Sequence, residues 1–97
     1  MKLKPGNELE YEKRHHNVYP ELLELLSESG IRNYTIFLDK STLQLFAYQE
    51  LADDYDESNI LKDPIVWKWW NYMADIMEVN EDQSPVTIDL NEVFHVD

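Results

Sequence analysis

The sequence predicts an α+β fold with elements in the order β-α-β-β-α-β, the ferredoxin-like pattern. Three observations carry this expectation. Apolar residues recur at helical spacing through Tyr19, Leu22, Leu23, Leu25 and Leu26, and again through Ile65, Trp69, Met73 and Ile76. Between these stretches, two runs rich in aromatic and branched residues, Asn33–Leu38 and Leu43–Leu51, flank the polar spacer Asp39-Lys40-Ser41-Thr42 and read as a β-hairpin. Near the end, Val86, Ile88 and Leu90 alternate with Thr87 and Asp89, as in a half-buried strand.

Met1–Lys4 is read as the tail end of a first strand, stopped by the Pro5-Gly6 turn. The stretch is short for a strand, so either the fold tolerates that or the chain's true start lies upstream of Met1. Asn7 is placed to cap a helix carrying Leu9, Tyr11, Arg14 and His15. Pro20 has no N–H to give and should interrupt that helix. Asn17 is the expected cap of the second segment, and Gly30 its C-terminal stop. After the hairpin, the acidic run from Asp53 to Ser58 is either a loop or the exposed start of a helix. Asp63 caps the next helix and Pro64 opens it, with Ile65, Trp69, Tyr72, Met73 and Ile76 on its buried face. Glu78–Ser84 is a polar loop before the last strand. Helices on one face of such a sheet leave the other face open. A second copy, in a symmetric homodimer, covers it most simply.

The chain's 97 residues suit one domain over 1–97. Without Cys there is no disulfide and no thiolate chemistry, which suits a reducing cytoplasm. The start, Met1-Lys2-Leu3-Lys4-Pro5-Gly6, has no apolar signal region, and no stretch approaches a membrane span. A cytoplasmic location is expected. The net charge of −12 argues against nucleic acid and anionic membrane surfaces as partners. It leaves a neutral sugar open. A phosphate ligand fits less well, since the chain's two glycines, Gly6 and Gly30, form no phosphate-cradling loop. There are 3 His and 20 acidic residues, but no HExxH or His-x-His spacing, so no metal site is expected.

Chemistry points to two segments. Tyr11 and His15 stand at i and i+4, so their side chains meet on one helical face. His exchanges protons near neutral pH. Downstream, Trp69 and Trp70 offer aromatic platforms for the apolar face of a sugar ring. Trp69 belongs to the buried stripe, which turns Trp70 and Trp67 to other sides, so one of the tandem pair should line a cavity. His16 points about 100° from His15 and reads as surface. Arg14 either binds ligand or pairs with a nearby Glu. His95 is given no role.

The same segments carry a family resemblance. Tyr11-Glu12-Lys13-Arg14-His15, Tyr19-Pro20-Glu21-Leu22, Asn33-Tyr34, Leu38-Asp39-Lys40, Trp69-Trp70-Asn71-Tyr72-Met73, Ser84-Pro85-Val86 and Glu92-Val93-Phe94 stand in the order of the corresponding blocks of L-rhamnose mutarotase. The chain resembles that family over almost its whole length. The resemblance implies a dimeric α+β barrel and a cofactor-free isomerase that interconverts the α and β anomers of L-rhamnose or a related 6-deoxyhexose. It implies His15 as the catalytic proton donor, with Tyr11 orienting or sharing the proton. It further implies that Tyr34, Trp69 and Trp70 contact the sugar. Two other readings suit the residues: a cofactor-independent monooxygenase on the same barrel, separable by oxygen uptake with quinols, and a sugar-binding module without turnover.

Overall fold

In the computed structural model, which describes residues 1–97, two helices come first, α1 (Glu8–His15) and α2 (Pro20–Glu28). They are followed by the strands β1 (Ile31–Asp39) and β2 (Gln44–Leu51), then by α3 (Glu57–Leu61) and α4 (Pro64–Met73). The architecture is α+β, as expected. The helix boundaries follow local chemistry. Pro20 and Pro64 occupy first-turn positions, where a missing N–H costs nothing. Asp63 Oδ1 accepts the Ile65 N–H at 3.0 Å and caps α4. Asp56 caps α3 in the same way, so the acidic run is first loop and then helix start. Gly30, at φ +95°, ends α2, and a Cβ there would lie 3.0 Å from that of Ala52.

Two expected caps are absent. The Asn7 side chain donates back to the Lys4 and Pro5 carbonyls. The Asn17 side chain donates to the Lys13 carbonyl, and Tyr19 takes the cap position of α2. The buried face of α4 is shifted from the expected one. Val66, Trp69 and Met73 are buried at i, i+3 and i+7, Ile65 is half-buried and Tyr72 is exposed, while Ile76, just past the helix end, is buried as expected.

β1 and β2 pair antiparallel, with a bulge where Asn33 and Tyr34 face one residue of β2. Asn33 has φ +50°. The extra residue switches parity, so Ile31, Tyr34, Ile36 and Leu38 all turn to the helix side. The opposite face carries the Phe37–Phe46 pair, with Tyr48 across from Thr35, and all three aromatics are exposed.

Residues 1–4 run beside β2. Leu3 donates to Leu43 O at 2.9 Å, and Leu45 donates to Met1 O at 2.8 Å. Along their other side, Lys4 donates to Ile76 O and Glu78 donates to Lys2 O, each at 2.9 Å. These contacts amount to isolated bridges, Lys2↔Gln44 and Leu3↔Met77, instead of a continuous ladder. The regular sheet therefore has two strands.

The expected final strand does not form. Val79 pairs with Pro85 in a bridge, and residues beyond it carry neither helix nor strand. Continued in register, Ile88 would face Ile76, within the turn that ends α4. A turn cannot extend the ladder, so the alternating segment leaves the body with Ile88 80 % and Leu90 74 % exposed.

Candidate functional site

α1 is an eight-residue helix with Glu8 and Glu10 in its first turn and Lys13, Arg14 and His15 in its last, the charge order its dipole favours. Tyr11 is its one buried residue. One turn on, the His15 imidazole stacks on the Tyr11 ring, with centroids 4.2 Å apart and planes at 29°. His15 Nδ1 lies 3.0 Å from the Tyr11 carbonyl oxygen. A carbonyl only accepts, so Nδ1 is the nitrogen that carries the proton in the neutral ring, and Nε2 keeps its lone pair.

Burial is the main cause of a lowered His15 pKa, opposed by the Tyr11 carbonyl and assisted by nearby His16. The neutral imidazole therefore predominates at neutral pH. Burial pushes the Tyr11 phenol up, with a smaller contribution from Tyr34, so this hydroxyl remains a protonated donor. The Tyr34 phenol is raised by burial as well, although half of its residue surface remains open.

Trp69 closes the other side. Its ring meets His15 edge-on at 5.4 Å and Tyr19 edge-on at 5.2 Å. Trp70 packs edge-to-face on Trp67 at 4.9 Å, and the Trp67 Nε1 donates to the Leu61 carbonyl at 2.6 Å. Trp67 and Trp70 thus share a side of α4. Tyr11, His15, Tyr34, Trp69 and Trp70 all border one open cavity of about 740 Å³. Both tandem tryptophans line it, where periodicity pointed to one. Its base is apolar, formed by Leu22, Leu26, Ile36, Leu38, Leu45 and Ile60.

Two expectations about neighbours are resolved. His16 is exposed, yet it borders the same cavity, whose lining runs along α1 from Glu8 to His16. The 100° offset did not remove it. Arg14 does pair with a Glu, with Nε 3.3 Å from Glu10 Oε1, but its shortest ion pair is with Asp75 at 2.8 Å. It is not part of the cavity wall. Sequence reasoning missed Gln49 and Tyr55, which add polar groups to the wall. Gln49 shares the strand parity of buried Leu45, which was a usable signal.

No three His, Asp or Glu side chains converge as a metal-binding group. The arrangement offers one neutral imidazole with a free nitrogen, three phenols held protonated, and indole surface over an apolar base. Such a set can move a proton between two oxygens of a polyol whose carbon face rests on aromatic rings.

The family model for L-rhamnose mutarotase matches residues 1–96. An L-rhamnose mutarotase of Phocaeicola vulgatus is 56% identical over 97 residues, which is all of this chain and 93% of the relative. One from Bacteroides thetaiotaomicron is 55% identical with the same coverage. The crystal structure of an L-rhamnose mutarotase from Formosa agariphila superposes with a TM-score of 0.91 at 45% identity, covering 100% of this chain and 93% of the other.

Proposed function

The chain belongs to the L-rhamnose mutarotase family, and from that premise we propose that His15 carries the proton traffic of anomer interconversion. The protein is an isomerase that exchanges the α and β anomers of L-rhamnose. The observation that carries the residue assignment is the Nδ1 contact of His15 with the Tyr11 carbonyl. It leaves Nε2 unprotonated, so His15 acts first as acceptor and only then as donor. This refines the expectation of a simple proton donor.

Nε2 removes the proton from the anomeric hydroxyl. The O–H electron pair becomes the second bond of the aldehyde, the bond from C1 to the ring oxygen breaks, and its pair stays on that oxygen. Nε2–H then protonates the former ring oxygen. Both oxygens are attached to C1, so one nitrogen can serve each in turn. After the C1–C2 bond turns, the steps reverse on the other face of the aldehyde. Tyr11 stays neutral and orients the sugar by donating a hydrogen bond. Tyr34 bonds another hydroxyl, and Trp69 and Trp70 hold the apolar face of the ring. The apolar base of the cavity suits the methyl group of a 6-deoxy sugar. A positioned acid–base group typically contributes about 10²–10⁴-fold.

The same reading takes the chain as one domain over 1–97, working in the cytoplasm without a cofactor. It forms a homodimer in which two sheets, each completed to the ferredoxin-like pattern by a segment after Pro85, make an α+β barrel. The exposed Phe37, Phe46 and Tyr48 face supports that assembly, as does the apolar tail after Pro85.

Exchange NMR on L-rhamnose tests the mechanism. Purified protein should accelerate anomer exchange without added metal, and EDTA should leave the rate unchanged. Complete loss of activity with EDTA would overturn the cofactor-free route.

A further inference from the structure

We infer that Arg14 is a positioning residue for catalysis: by clamping the last turn of α1 to the C-terminal end of α4, it keeps His15 in its reactive geometry. The inference rests on the proton-transfer role given to His15. Arg14 Nη1 donates to the Tyr72 carbonyl and to Asp75 Oδ1, each at 2.8 Å, and Nη2 donates to Asp75 Oδ2 at 3.3 Å. The guanidinium lies 4.3 Å from the centre of the Tyr72 ring. The Arg14 side chain is only 10% exposed.

α4 has no basic residue in its own last turn. Tyr72 O belongs to that turn, whose carbonyls lack partners along the helix. Arg14 thus brings to α4, from another element, the cation its C-terminus favours. The clamp also bears on α1. A helix of eight residues is marginal alone, and His15 sits in its final turn. The Nδ1 contact with the Tyr11 carbonyl spans that turn. Fraying would separate the two groups, release the tautomer and carry His15 away from Trp69. Trp69 stays in place because it is buried on α4. The platform would survive while the proton-transfer group moved.

This predicts a kcat effect separable from binding. Arg14→Lys keeps the charge but loses the planar fork. Asp75→Asn tests the same clamp from an exposed position that leaves the core intact. Each variant should lower kcat roughly tenfold to a hundredfold, as misplacement of a reacting group does, with KM nearly unchanged. The double variant should be no worse than the worse single one, because both break one clamp. Anomer-exchange NMR across sugar concentrations, well below each melting temperature, reads the split.

A folded Arg14→Lys protein with wild-type kcat overturns the inference, as does a rise in KM alone or a lower melting temperature with unchanged kcat. His15→Ala, run in parallel, separates the two levels. If it is inactive while Arg14→Lys keeps full kcat, only the clamp's role falls. If His15→Ala keeps wild-type activity, the proton-transfer reading fails and the inference goes with it.

Discussion

His15 Nδ1 sits 3.0 Å from the backbone oxygen of Tyr11, and the two rings stack at 4.2 Å. The helix thus fixes both the orientation of the imidazole and the nitrogen that holds its proton. Spacing alone gave the meeting of the two side chains. It did not give the tautomer, on which the order of proton transfers depends.

His15→Ala should abolish most catalysis and keep much of the sugar affinity, because proton transfer acts on the transition state more than on ground-state binding. His16→Ala should have a much smaller effect, since His16 stands at the exposed rim of the cavity. Exchange NMR at saturating L-rhamnose compares them. If His16→Ala is the inactive variant, the acid–base role belongs to the rim.

Activity should persist into mild acid. Burial lowers the His15 pKa, so kcat should fall only below the ordinary imidazole value of about 6.5. Stability follows the same group. The unfolded chain takes up this proton at about pH 6.5 while the folded chain resists it. The stability tied to a neutral His15 is therefore complete above that pH and is lost progressively as pH falls below it. Urea unfolding of wild type and His15→Gln across pH 5–7 isolates the contribution. An acid limb of kcat above pH 6.5 would contradict the buried, neutral imidazole.

Much of this site was legible from local rules. Proline and aspartate chemistry placed the start of α4, Gly30 the end of α2, and helical spacing the Tyr11–His15 pair. What was not legible depends on distant partners. Asp75 lies 61 residues from Arg14, and no periodicity links them. The bulge at Asn33 is a departure from alternation, which alternation cannot forecast. The Val86–Leu90 pattern does describe a strand, but the segment opposite it within this chain is a turn.

The two tryptophans should separate by their surroundings. Trp69 is 8% exposed and touches His15, Tyr19 and Tyr72. Trp69→Ala should cost roughly 3–5 kcal/mol of stability, as for a large buried aromatic. Trp70 is only half-buried, so Trp70→Ala should weaken L-rhamnose binding more than folding. Thermal melts and sugar titrations measure the two effects. Equal melting losses with unchanged affinity would make both residues simple core.

The protein should sediment as a dimer, and its C-terminal segment should matter to that state. Ile88, Leu90, Val93 and Phe94 are each at least 74% exposed, and the Phe37–Phe46 pair lies open on the sheet. Apolar exposure on this scale is unusual for a monomer and marks an interaction surface. A chain of net charge −12 repels its own copies, so association must come from apolar burial, and it should persist or strengthen in salt. Leu90→Ser combined with Phe94→Ser removes apolar area that packs against little within one chain. The doubly substituted protein should keep its helical circular dichroism while shifting toward monomer in sedimentation velocity. A wild-type monomer at micromolar concentration would remove the barrel assembly from the account. A variant that stays fully dimeric would leave the sheet face, without the tail, as the interface.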